Sequence, residues 1–332
     1  MQRVHGFMRA GRGRFPLGGM RSRRRQGSVR GMSDCEGARR MTEGITQIPS
    51  AALASDPPDL PVRLGEWHAS SSSSLDAIAA EFAASGPVPH VVIDGFFDAE
   101  FAKHLRDAFP PAASELWHVY DNPLEMKRAC SDTSRMPANL REAIFALCGP
   151  SLVEAVRRIT GVCDEEELQA DPYCHGGGLH SHGRGGKLDL HLDYSIHPLS
   201  GLERRFNLIV YLTEEPWQPE YGGSLDLYAP LAEDASKPGA RVASVLPCFN
   251  RALLFSTTAP SFHGFPSPIA CPDDWRRNSL ALYYLTPPRP EAPKRSKALY
   301  VAAPGQPHDP ELERLRHIRA TRRLEPADFE SV

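Results

Sequence analysis

Between Lys187 and Asp193 the chain reads Lys-Leu-Asp-Leu-His-Leu-Asp, so polar residues alternate with leucines. Successive side chains on a β-strand point to opposite faces, which puts His191 and Asp193 on one face and Leu188, Leu190 and Leu192 on the other. One face packs and the other presents ligands. An imidazole and a carboxylate two residues apart can reach the same metal ion. A second imidazole from a distant strand would complete a facial set of three, leaving positions open for a chelating co-substrate and dioxygen. His263, in Pro260-Ser-Phe-His-Gly-Phe265 after the apolar stretch Ala252 to Ser256, is the candidate for that ligand. His-x-Asp alone is common, and by itself reads better as a solvated strand face than as a metal site.

A second feature raises the value of the pair. In Trp275-Arg-Arg-Asn-Ser-Leu-Ala-Leu-Tyr-Tyr-Leu285, period two places Arg277, Ser279, Ala281 and Tyr283 on one face and Leu280 and Leu282 on the other. An arginine at the entry to an apolar strand either snorkels at the sheet edge or anchors a ligand carboxylate through a bidentate, charge-assisted contact. Strand parity does not decide between Arg277 and Arg276.

Elements must position these residues. His90–Asp94 reads as a short apolar strand, followed by a helix within Phe97 to Phe109 that Asp98 can cap, with Phe101, Leu105 and Ala108 on one face. Further helices fit Ala138 to Cys148 and Ser151 to Thr160. After Asp171 strand-like segments follow one another, at Lys187 to Asp193, Arg205 to Thr213, Gly223 to Tyr228, Arg241 to Leu246, Ala252 to Ser256 and Asn278 to Thr286. Helices followed by a run of strands predict an α+β domain whose strands form a sandwich or barrel. The expected organisation has three parts. Residues 1–87 are a disordered extension with at most one helix, at Ser74 to Ser85. The folded domain spans 88–287, its strand-rich part 171–287. A peripheral tail, 288–332, carries a charged helix at Pro310 to Leu324.

The 332 residues are 41% hydrophobic, which suffices for one sizeable core. A net charge of −3 gives no global case for binding nucleic acid or an anionic membrane. Seven cysteines without a C-x-x-C pair suggest a reducing, cytoplasmic setting rather than a disulfide framework. No apolar run approaches the length of a membrane-spanning helix. Residues 1–31 are rich in Arg and Gly and lack acidic residues. Three readings compete for them: an organelle transit peptide, a basic nucleic-acid arm, or an over-extended start upstream of Met20, Met32 or Met41.

Five blocks, in order, carry a resemblance: Asp171 to His180, Gly185 to Pro198, Arg204 to Thr213, Tyr221 to Tyr228 and Arg277 to Tyr284. Together they resemble the prolyl 4-hydroxylase-like branch of the iron(II)/2-oxoglutarate-dependent oxygenases, over roughly Asp171 to Pro287. The resemblance implies a double-stranded β-helix, a jelly roll braced by N-terminal helices. It implies iron(II) held by His191, Asp193 and His263, and 2-oxoglutarate held by Arg277 with Tyr211 and Asn207. The implied reaction is a dioxygenase hydroxylation of a peptidyl (prolyl) or small-molecule C–H bond using dioxygen, releasing succinate and CO2. Ascorbate, as a reductant, is a family-level expectation. Asp193 is present where halogenating relatives lack the carboxylate, which favours hydroxylation. The spacing from His263 to Arg277, with Pro266, Pro268 and Pro272, is longer than in many relatives.

His180 and His182 lie in a Gly-rich stretch, Gly176 to Gly186, read as a mobile lip with either histidine near 2-oxoglutarate or the substrate, or as solvated loop. The polar run Asp121 to Cys130 reads as a substrate mouth or a solvated face. Two further readings remain at this level: a cupin-like metalloenzyme not using 2-oxoglutarate, favoured if Arg277 points to solvent, and a catalytically silent jelly-roll binding protein. The sequence does not fix substrate or oligomeric state.

Overall fold

The structure, a computed structural model, describes residues 63–69, 72–258 and 260–329. The basic segment 1–31 and the linker to residue 62 lie outside these residues. Two helices, α1 (Glu66–Ala69) and α2 (Ser72–Ala84), lead into β1 (His90–Asp94) and α3 (Ala99–Asp107). A hairpin follows, β2 (His118–Asn122) and β3 (Glu125–Cys130), then α4 (Ala138–Leu147) and α5 (Pro150–Thr160). The strand-rich part comprises β4 (Gln169–Ala170), β5 (Gly178–His182), β6 (Lys187–Leu192), β7 (Glu203–Tyr211), β8 (Leu225–Leu231), β9 (Asp234–Val245), β10 (Arg251–Ser256), β11 (Phe262–Phe265) and β12 (Arg277–Thr286). The chain closes with β13 (Leu299–Tyr300) and α6 (Pro310–Arg319).

Strand order is β1-β10-β7-β12-β5-β3-β6-β11-β8-β9, with β13 added at β6, β2 at β3 and β4 at β12. Antiparallel pairing along this path curls the sheet into a nearly closed jelly roll, the expected double-stranded β-helix. Strand β12 is buried along its whole length because both faces are covered. Leu280, Leu282 and Tyr284 share one apolar core with Leu140, Ile144 and Leu147 of α4 and Leu152, Val156 and Ile159 of α5. Each such buried aliphatic side chain contributes about 2 kcal/mol. Arg277, Ser279, Ala281 and Tyr283 face the interior cavity instead. The helices form where expected: Asp98 caps α3 by accepting the Phe101 N–H at 3.1 Å.

Three expectations need correction. Folding begins before residue 88: the Trp67 indole donates to Phe96 O at 2.7 Å and stacks on Phe96, and Leu75 and Phe82 of α2 are in the core. A few apolar residues in an Ala- and Ser-rich stretch were enough to anchor it. The Gly-rich stretch is not a lip, because its Gly178–His182 portion is an interior strand between β3 and β12. Its glycines permit this: Gly178 has φ +88, and a Cβ there would lie 2.2 Å from Cys130 O. The polar run to Cys130 is the β2–β3 hairpin at the cavity mouth. Finally, the tail is not peripheral. β13 pairs with β6, Leu315 is fully buried, and Arg316 of α6 lies 3.4 Å from the buried Asp189 carboxylate. The six cysteines among the described residues are free thiols, and no helix there is long and apolar enough to cross a membrane.

One junction is held by a single side chain. Asn250 sits at φ +57 and is 7% exposed; its amide donates to Phe97 O at 2.8 Å and accepts from Phe97 N at 2.9 Å. Its own backbone bridges Phe96 N and Tyr211 O. Asn250→Ala orphans two buried backbone groups in a left-handed conformation, so it should cost about 3 kcal/mol. Urea unfolding checks this, and Asn250→Gly, which relieves only the backbone strain, should recover a minor part.

Glu125 gives a pH signature. Burial would raise its carboxyl, but Lys127 and Arg319, with hydrogen bonds from Lys127 and Tyr300, hold it down at about 2 against an ordinary 4.5. A depressed carboxylate stabilises the fold above its ordinary value and loses that contribution as pH falls through the folded one. The thermal-midpoint gap between wild type and Glu125→Gln should therefore narrow as pH drops from 6 through 4.5 toward 2. A gap independent of pH would refute this account.

Candidate metal centre and anion pocket

Strand register brings the ligands together. β6 and β11 pair so that His263 stands directly across from His191. Gly264 permits the approach, since a Cβ there would sit 2.7 Å from Leu188 O. Asp193 follows the end of β6, its carboxylate oxygens 3.8 Å from His191 Nε2 and 3.7 Å from His263 Nε2. Among the described residues, His191, Asp193 and His263 are the group of three whose ligand atoms converge, all within 4.8 Å of one another. His180-Ser-His182 forms no such group.

The protonation pattern fits a cation. Each imidazole donates its Nδ1–H to the carbonyl two residues earlier, His191 to Asp189 O at 3.0 Å and His263 to Ser261 O at 2.9 Å. That fixes the tautomer and leaves each Nε2 lone pair facing the shared point. Burial, reinforced by the neighbouring His263, pushes His191 down to about 3, so it is neutral and able to ligate. Burial would raise Asp193, but His263, Arg204, His191 and Arg295 hold it below the usual carboxylate range. Its Oδ2 is buried without a hydrogen-bond partner, which a metal ion would remedy.

The same cavity, about 540 Å³, reaches Arg277. This guanidinium is 3% exposed; its Nε donates to Gly223 O at 2.7 Å and an Nη to the Tyr211 hydroxyl at 3.4 Å. Phe265 and Tyr211 rings lie 4.4 and 4.9 Å from its centre. No carboxylate among the described residues pairs with it, so its buried charge is complementary to an anion the cavity would receive. Arg276 lies elsewhere: its backbone N–H is bound by Glu214 and its guanidinium rests against Gly183. The Pro-rich span between His263 and Arg277 folds back, Ile269 exchanging backbone hydrogen bonds with Gly185 and Gly186, so β12 still begins at Arg277.

The remaining sequence candidates separate. Asn207 lines the cavity with its Oδ1 unpartnered. Tyr211 is fully buried behind Arg277. His180 lines the cavity, pushed down to about 3 chiefly by burial. His182, across from Arg277 in the β5–β12 register, also lines it, and both its ring nitrogens lack partners.

Sequence reading missed Arg204. Its guanidinium lies between the rings of Tyr194 and Tyr283, at 3.5 and 3.2 Å, with Nη1 3.8 Å from Asp193 Oδ1. The Tyr283 hydroxyl donates to the same oxygen at 3.4 Å, and Arg295 Nε to Asp193 O at 2.7 Å. Period two from Asn207 points to Arg205. A β-bulge in β7, where Tyr284 pairs Phe206 but Leu285 pairs Arg204, skips Arg205 and turns Arg204 inward. No local signal in the sequence marks that bulge.

A family profile described as the 2OG-Fe(II) oxygenase superfamily matches residues 177–285. Among curated proteins, the chain is 29% identical over 203 residues to a Xenopus laevis protein named prolyl 3-hydroxylase OGFOD1, covering 59% of this chain and 34% of that protein. The chain thus spans about a third of that relative's length. Solved structures to which the chain is similar include a Pseudomonas putida prolyl-4-hydroxylase (TM-score 0.42, 18% identity, 65% of this chain and 99% of that one). A Trichoplax adhaerens prolyl hydroxylase is another (TM-score 0.45, 13% identity, 66% and 94%). A third is from Phytophthora capsici prolyl 4-hydroxylases (TM-score 0.46, 18% identity, 82% and 80%).

Replacing His191, Asp193 or His263 singly by Ala should weaken Co(II) binding by more than about 100-fold, beyond the usual effect of losing a ligand's supporting partner. His182→Ala should leave it within about threefold on the same scale. Calorimetric titration of metal-free protein decides both.

Proposed function

We propose that this chain is a 2OG-Fe(II) oxygenase that hydroxylates a C–H bond of a peptide substrate, with a prolyl residue as the target. The observation that carries the co-substrate assignment is Arg277, a buried guanidinium without an acidic partner among the described residues, in one cavity with three convergent ligands. His191, Asp193 and His263 would hold iron(II), and Arg277 with the Tyr211 hydroxyl the far carboxylate of 2-oxoglutarate. When bound, iron and 2-oxoglutarate activate dioxygen, yielding succinate, CO2 and one oxygen atom for the substrate.

The chain's own residues supply geometry and charge. Arg204 and Tyr283 fix one Asp193 oxygen, leaving the unpartnered one free for the metal. His182 and Asn207 line the same cavity, the first with unpartnered ring nitrogens and the second with an unpartnered amide oxygen, and would meet the same ligand. His180, with Tyr120 and Lys127 of the hairpin, lines the cavity and would meet the substrate. The prolyl target is favoured by the relative named as a prolyl 3-hydroxylase. A cupin-like enzyme without 2-oxoglutarate is disfavoured by the inward, buried Arg277.

Iron-loaded wild type, prepared anaerobically and then aerated, should form succinate from 2-oxoglutarate, and His191→Ala should form none. Arg277→Met should raise the KM for 2-oxoglutarate on the order of 100-fold, the usual cost of leaving a buried charge unpaired. Proline-containing peptides that gain one oxygen atom by mass spectrometry would confirm the substrate class. Absence of succinate together with absence of iron-dependent 2-oxoglutarate binding would overturn the reading.

A further inference from the structure

The segment following the matched residues 177–285 reaches the ligand strand at several points. Tyr300 pairs with His191 in the β13–β6 register, and its ring stacks on the imidazole, centroids 5.1 Å apart and planes inclined by 24°. On its other side His191 meets the His263 ring at 4.3 Å. The Nδ1–H bond to Asp189 O fixes one axis of the His191 ring. Rotation about the remaining torsion is opposed by Tyr300.

Tyr300 is itself held. Its hydroxyl donates to Glu125, a carboxylate 2% exposed, which also pairs with Lys127 at 3.1 Å and with Arg319 of α6 at 3.2 Å. Arg319 further lies over the Tyr300 ring at 5.4 Å. Three elements, β3, β13 and α6, thus converge on one ring that serves one metal ligand. A residue needed only to fill space requires no buried carboxylate latched by two cations, an arrangement that is costly to desolvate.

We propose that the C-terminal segment is an integral part of the metal centre and that Tyr300 is the positioning residue for His191, latched by Glu125 and Arg319. This rests on the iron-site reading above. The ring of Tyr300 sets the orientation of the imidazole, and its hydroxyl sets the orientation of the ring.

Full-length metal-free protein titrated with Co(II), followed by calorimetry and by visible d–d absorption, tests this. Tyr300→Met keeps most of the volume but removes the ring; it should weaken Co(II) binding about tenfold or more and alter the d–d spectrum. Tyr300→Phe retains the stack but loses the bond to Glu125, so it should weaken binding less than Tyr300→Met, by about threefold, and shift the d–d spectrum part of the way. Leu312→Ala, which only loosens the packing of α6, should lower the thermal midpoint and leave the spectrum unchanged. Wild-type affinity and spectrum in Tyr300→Met overturn the proposal, as does Tyr300→Phe impaired as much as Tyr300→Met. If Tyr300→Met does not fold, Arg319→Met decides through the latch: a shifted spectrum supports the proposal, and an unchanged one overturns it. Wild type that binds no Co(II) would instead count against the iron site itself, a failure the wild-type titration alone reveals.

Discussion

The antiparallel pairing of β6 with β11 sets His263 opposite His191, and the site depends on that register. A slip by one residue would turn one imidazole to the other face of its strand and separate the ligands. The leucines of β6 help hold the register, because Leu190 is fully buried and Leu192 nearly so. The strand's apolar face is therefore the reason its polar face can present ligands. Backbone carbonyls do the rest, each imidazole being oriented by the peptide two residues before it.

Two buried arginines divide the electrostatics. Arg204 lies beside the ligand carboxylate, between two tyrosine rings, and helps keep Asp193 ionised within a dry site. Arg277 has no such partner among the described residues and is steadied by a carbonyl, a hydroxyl and two ring faces. A buried cation left in this state is unfavourable until an anion arrives. The protein thereby stores binding preference in the arrangement of a single side chain, and a carboxylate-bearing co-substrate is the chemistry that answers it.

The helices stabilise this arrangement from behind. The outer face of β12 shares an apolar core with helices α4 and α5, so its inner face can carry Arg277, Ser279 and Tyr283 without the strand losing its packing. The Tyr284 hydroxyl donates to Leu147 O at 2.9 Å, joining the strand to α4. On the opposite wall α6 and β13 perform the corresponding task for β6, with Arg316 near Asp189 and Tyr300 on His191.

Alternation in Leu190–Asp193 and Arg277–Leu285, with the helical faces at Phe101 and Leu105, was legible in the sequence because local periodicity follows from backbone geometry, whereas in the first half of β6 a register shift against β11 turns Leu188, not Asp189, into the cavity beside His191. Those patterns reached as far as an α+β sandwich or barrel with His191, Asp193 and Arg277 on ligand-bearing faces; the jelly roll and the full set with His263 came from the resemblance of five blocks in order. They could not choose between Arg276 and Arg277, since both orientations satisfy the same alternation until the strand is docked. Nor could they reveal Arg204, whose inward turn depends on a bulge that exists only when β7 pairs with β12. The Gly-rich Gly178–His182 looked like a loop because close backbone approach, not side-chain propensity, makes it a strand. The role of Tyr300 lay over 100 residues from the ligand it touches. Short-range order is written in residue spacing, whereas register, bulges and contacts between distant segments arise from packing the whole chain at once.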